Sequence, residues 1–211
     1  KILKPHLKKQ GESIWKFANG QDSSLVEPVS EGNKGYGNST TIAFDVTDED
    51  TAKMILLSLC ETVASRLRED SQKAQMVSVS IKNHELKTVS HQKIMPAPTN
   101  ITGEIYRAAC QLFEELWDQS PIRLLGVHTG KLSGEESFRQ LSLFDKADYE
   151  KMERMDKAVD KIRKKFGSDA IMRASFLDNP KVGNMTGGHP DGGKVDLKTL
   201  RNNRQEEQKK K

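Results

Sequence analysis

Thr40-Thr41-Ile42-Ala43-Phe44-Asp45-Val46, followed at once by Thr47-Asp48-Glu49-Asp50, decides the fold. Ile42, Phe44 and Val46 alternate with other residues at the period of a half-buried strand. The Thr-x-x-acid run after them is a helix start signal, because side-chain oxygens there take up backbone N–H groups that the first turn leaves unpaired. Ala52, Ile55, Leu56, Leu59, Val63 and Leu67 then recur every three or four residues, which predicts a helix over 48–69. Further on, Val77, Val79 and Ile81 alternate with Ser78, Ser80 and Lys82. Asn83-His84-Glu85 turns the chain and Lys87 to Met95 returns, a hairpin with one polar face that Pro96 and Pro98 are expected to end. Ile105, Ala109, Leu112, Phe113 and Leu116 predict a second helix, and Ile122 to His128 a last strand. The order β-α-β-β-α-β predicts an α+β fold: a four-stranded antiparallel sheet with two helices on one face and the other face bare.

Periodicity is lost after Gly130 through Lys131-Leu132-Ser133-Gly134-Glu135-Glu136 and resumes at Met152, Met155, Val159, Ile162 and Phe166, an additional C-terminal helix that Gly167 is expected to end. Residues 178–211 carry no apolar pattern and a Lys-rich end, so a disordered tail is expected there. In the other direction, residues 18–40 are rich in Gly, Asn and Ser, as a linker between folded units would be. The run before it, through Phe17, reads as the end of a helical unit already under way, and a first residue that is Lys points to a fragment of a longer protein.

The 211 residues are 35% hydrophobic and 30% charged, enough for one modest core with appendages. No stretch approaches the roughly 20 apolar residues of a membrane-spanning helix, and Lys1-Ile2-Leu3-Lys4 runs into Pro5 instead of a signal-peptide core. A cytoplasmic location without a membrane partner is expected. Cys60 and Cys110 sit within apolar-periodic segments, as reduced core thiols do. The net charge of +4 leaves any nucleic-acid affinity to where the charges lie.

No catalytic set emerges. The acid pairs lie in helix-start or solvated contexts, and the five histidines have no metal-ligand spacing with each other or with the cysteines. No catalytic residue, metal site or cofactor is assigned to the chain. A bare sheet face with Ser, Lys, His and Arg suits phosphate contacts, whereas base stacking needs aromatics, and neither hairpin strand has one. The same polarity suits an ordinary solvated surface. Gln140-Leu141-Ser142-Leu143-Phe144 has the make-up of a docking peptide, with apolar anchors for a groove and an amide for directional hydrogen bonds. Its Leu143 and Phe144 could equally pack on the sheet or on the following helix.

Taken together, these segments resemble the C-terminal part of a Y-family translesion DNA polymerase, similar to the bacterial DNA polymerase IV type, over about residues 1–177. Lys9 to Gly20 resembles the end of the family's thumb. Lys34 with Gly37-Asn38-Ser39-Thr40-Thr41 resembles the linker into its little finger, Val77 to Lys93 and Arg123 to Val127 its hairpin and last strand, and Gln140 to Phe144 its sliding-clamp motif. The resemblance implies residues 1–31 as end of thumb, 32–39 as linker, 40–131 as little finger, 132–146 as clamp-binding segment and 147–177 as helical extension. It implies a parent enzyme that adds nucleotides opposite damaged template bases with palm carboxylates and two magnesium ions, in DNA damage bypass and repair. The fragment itself is expected to be inactive and to hold duplex primer-template DNA and the bacterial sliding clamp. The residues this assigns to DNA are Ser39, Thr40, Thr41, Ser78, Ser80, Lys82, Ser90, His91, Gln92, Lys93 and Arg123. Those assigned to the clamp are Gln140, Leu141, Ser142, Leu143 and Phe144. Gly35 and His91 depart from the family, where a Ser and an Arg are common. A non-catalytic ferredoxin-like module that binds RNA, or a protein-interaction module, is the alternative.

Overall fold

The computed structural model describes residues 3–22, 32–134, 136–137, 139 and 148–176. The motif at 140–144 and the tail at 178–211 lie outside the described residues. The chain divides into two units, Lys1–Asn33 and Lys34–Lys211. The described residues of the first include a helix, α1 (Leu3–Ala18), kinked at Lys8, whose φ of 46° and ψ of −125° break the helical run.

In the second unit β1 (Gly35–Val46), α2 (Glu49–Glu69), β2 (Gln72–Asn83), β3 (Thr88–Thr99), α3 (Thr102–Leu116) and β4 (Ile122–Gly134) follow in the expected order. The strands form one antiparallel sheet in the order β1-β4-β2-β3, so each strand-helix-strand crossover is split by an intervening strand. Asp48 caps α2 by accepting a hydrogen bond from the Thr51 N–H at 2.8 Å. Helices α2 and α3 cover one face, and Val77, Val79, Ile81, Leu125 and Val127 of the sheet meet Ile55, Leu56, Leu59, Ile105, Leu112 and Phe113 in a continuous buried core. Cys60 is buried and Cys110 partly so, both free; burial pushes both thiols above their ordinary range.

Three boundaries differ from the sequence expectation. Strand β1 begins at Gly35, so the last five residues of the expected linker are strand paired with β4. Strand β3 continues through Pro96 and Pro98 to Thr99. It is an edge strand, where a residue without an N–H need not sacrifice a ladder bond. Strand β4 continues to Gly134 because Leu132, Ser133 and Gly134 pair with Ala74, Lys73 and Gln72 of β2. Main-chain pairing carries this extension where the side chains show no alternation.

The expected extra helix is α4 (Tyr149–Phe166), followed by short 3-10 turns at Ser168–Ala170 and Ala174–Phe176. It docks on α2 and α3 mainly by charge. Arg68 of α2 donates to Asp160 at 2.6 and 3.1 Å, to Asp156 at 3.3 Å and to the Asn100 carbonyl at 2.7 Å. Asp156 also accepts the Thr102 N–H at 2.8 Å, which caps the start of α3 where Ile101 offers no side-chain cap. Arg163 and Arg173 converge on Glu61.

Candidate nucleic-acid interface

The registers of the three strand pairs place four rows of side chains across the face opposite the helices. They are Gly35–Gly130–Met76–Ile94, Gly37–His128–Ser78–Gln92, Ser39–Gly126–Ser80–Ser90 and Thr41–Leu124–Lys82–Thr88. These paired rows contain no acid and no Phe, Tyr or Trp. Small residues crowd their centre, and Gly37, Ser39, Ser78, Ser80, Gly126 and His128 line a shallow open trough there. Arg66 of α2 reaches the rim of this trough and donates to the Gly37 carbonyl at 3.2 Å, which covers part of the β1 edge.

This geometry divides the residues that the sequence assigned to DNA. Ser39, Thr41, Ser78, Ser80, Lys82, Ser90 and Gln92 share the open face. Thr40, His91 and Lys93 do not: strand alternation, which lets only part of that set face one way, turns them toward the helices. Lys93 donates to Gln111 of α3 at 2.9 Å, and His91 Nδ1 lies 3.1 Å from Glu115 of the same helix. Arg123 is exposed at a bulge, where Lys82 pairs with Leu124 and Asn83 with Ile122, so no pairing fixes its face. Lys82 and Arg123 enter no ion pair among the described residues.

Sequence reasoning missed His128, Gly37, Gly126 and Arg66. The alternation of β4 already places His128 in phase with Leu124 and Gly126, but a face is assigned only once the partner strands are known. The departure at Gly35 also gains a physical account. A Cβ on Gly35 would lie 2.5 Å from the Thr129 carbonyl oxygen and 2.9 Å from the His128 ring. The Thr129 carbonyl and the His128 imidazole together occupy the room that a Ser at position 35 would need.

Among the described residues no three His, Cys, Asp or Glu side chains converge on a point where a cation could sit. Among the described residues no helix is long and apolar enough to cross a membrane.

Comparison with known proteins places this fold in a family. Residues 33–143 match the impB/mucB/samB family C-terminal domain. DNA polymerase IV of Clostridium acetobutylicum is 37% identical over 177 residues, covering 84% of this chain and 44% of that protein. DNA polymerase IV of Acetivibrio thermocellus is 35% identical over 185 residues, covering 84% of this chain and 46% of that protein. Among solved structures, the little finger in "Complex of beta-clamp processivity factor and little finger domain of PolIV" is 19% identical with a TM-score of 0.40, covering 53% of this chain and 99% of that one. The chain spans less than half the length of the two DNA polymerases IV it matches. With its family match over more than half its length and its four-stranded α+β sheet, the chain belongs to the impB/mucB/samB family through its C-terminal domain, as a relative of the C-terminal part of Y-family DNA polymerase IV.

Proposed function

We propose that this chain is the DNA-gripping and clamp-docking part of an error-prone translesion polymerase. The observation that carries the reading is the open sheet face, whose paired rows offer hydroxyls, an amide, Lys82 and His128 but no acid and no Phe, Tyr or Trp. Such a surface suits phosphate oxygens and lets a sugar-phosphate backbone come close over the glycines, with a single imidazole in place of the two or three large rings on which unpaired bases stack. This favours duplex over single-stranded nucleic acid, and so favours the polymerase reading over the RNA module.

Nucleotidyl transfer, with magnesium, is proposed for the longer protein and involves no residue named here. Clamp docking is assigned to Gln140, Leu141, Ser142, Leu143 and Phe144 on their sequence alone. DNA damage bypass in the cytoplasm is the corresponding biological setting.

The test is titration of a labelled primer-template duplex and of the equivalent single strand across a salt series. Duplex preference with affinity falling as salt rises is expected, because bound cations displace condensed counterions. Preference for the single strand would return the RNA reading. For docking, replacing Leu143 and Phe144 together by Ala is expected to abolish binding to a bacterial sliding clamp while duplex affinity stays unchanged. Equal clamp affinity in the two chains would sink the docking assignment.

A further inference from the structure

The floor of the trough is a glycine enclosed by two serines. Gly126 stands between Ser39 of β1 and Ser80 of β2 in one row, and a Cβ added to it would lie 2.5 Å from Ser80 Oγ and 3.1 Å from Ser39 Cβ. Both serine side chains therefore close in over the bare backbone at 126. One row away the His128 ring leans toward β1, since a Cβ on Gly37 would meet its Cδ2 at 3.0 Å, and Ser78 stands on its other side. Arg66 comes from the helix layer round the outer edge of β1, and its bond to the Gly37 carbonyl holds the guanidinium at the mouth of the recess. Among the described residues no carboxylate lines the trough.

From this arrangement we infer that the trough is a seat for one phosphodiester group of the duplex, with Arg66 as its cation and Gly126 as the residue whose missing side chain gives it depth. The inference rests on the phosphate-gripping reading above. It goes beyond that reading by locating one discrete contact and by adding a residue of the helix layer to the interface. The charged oxygens of a phosphodiester only accept hydrogen bonds, and every group around the recess has a proton to donate. Serine hydroxyls rotate to suit, an imidazole carries an N–H in either protonation state, and a guanidinium offers paired N–H groups to two phosphate oxygens at once. None of these contacts reads a base, so the seat fixes position on the duplex without selecting a sequence.

The test uses the whole chain, a labelled primer-template duplex and a salt series. Arg66→Ala and Gly126→Ala are each expected to weaken duplex binding roughly three- to tenfold. Arg66→Ala also lowers the slope of log affinity against log salt by about one unit, whereas Arg66→Lys keeps that slope. Gly126→Ala is the sharper probe, because it removes no charge and only fills the recess. Melting is followed in parallel, and Gly126→Ala combined with Ser80→Ala relieves the tightest contact of the new methyl group if the single variant fails to fold. Folded Arg66→Ala and Gly126→Ala chains with the parent's affinity would overturn the inference. Loss confined to Arg66→Ala would overturn it as well, since the phosphate would then lie outside the recess. Polyglutamate, a polyanion without phosphate, is expected to compete poorly with the duplex; strong competition that Gly126→Ala abolishes would make the recess a carboxylate site instead. Lys82→Ala keeps the two readings apart. If it weakens duplex binding while the seat variants do not, the open face stands and the seat falls; if the parent chain binds no duplex, both fall.

Discussion

Arg68 shows how much one side chain can decide. Its own side chain is 5% exposed and that of Asp156 is 6% exposed, so each charge depends on the other for what water would otherwise supply. Arg68→Ala is expected to cost about 3–5 kcal/mol of unfolding free energy, the cost of leaving buried carboxylates without their cation. Chemical denaturation with an unchanged denaturant slope checks this. The Lys87–Glu85 pair, at 76% and 53% exposed, makes the contrast: Lys87→Ala should shift stability by no more than about 0.5 kcal/mol. No sequence signal separated these two arginine and lysine roles. Arg68 stands at the edge of the apolar stripe of α2, and its carboxylate partners lie 88 and 92 residues on, in a helix whose placement the sequence left open.

At the scale of elements, local signals and long-range pairings were legible to different degrees. The start of α2 was written in Thr47-Asp48-Glu49-Asp50, although the residue that caps it is Asp48 and not the Thr47 of the Thr-x-x-acid signal. Asp48→Ala is expected to lower stability by about 1 kcal/mol, measured by thermal or denaturant unfolding. The hairpin turn was equally local: Asn83 Oδ1 accepts the Lys87 N–H at 2.9 Å, and the Asn83 N–H donates to the Lys87 carbonyl at 3.0 Å. What stayed hidden depended on partners. Gly35 to Asn38 looked like linker because glycine breaks local patterns, yet glycine is needed at 35 for β1 to pass the Thr129 carbonyl and the His128 ring. Pro96 and Pro98 looked like terminators because only the sheet order reveals that β3 is an edge. In the same way, alternation alone gave the two faces of β3 but not which of them met α3, so His91 and Lys93 were grouped with residues that face away from them.

For the molecule as a whole, that division of faces makes a sharp experiment. Replacing Lys82 by Ala is expected to weaken duplex binding and reduce the slope of log affinity against log salt by about one unit, for one lost phosphate contact. Replacing Lys93 by Ala removes the same formal charge on the side held against α3, and should leave that slope in place. Similar slopes in both variants would mean that affinity follows net charge and not the open face. The outline of a bare-faced sheet was thus available from the order of elements, while the composition of its rows required the registers.

The sheet order also carries a cost in time. Among the described residues β1 pairs only with β4, and β4, the last of the described strands in the chain, lies between β1 and β2. A chain emerging from the ribosome therefore carries β1 without any strand neighbour, and β2 with one side open, until residues 122–134 are free to slot into the middle. Until then both exposed edges can recruit strands from other nascent chains, which makes the interval before β4 emerges the period of greatest aggregation hazard and of greatest value for a chaperone.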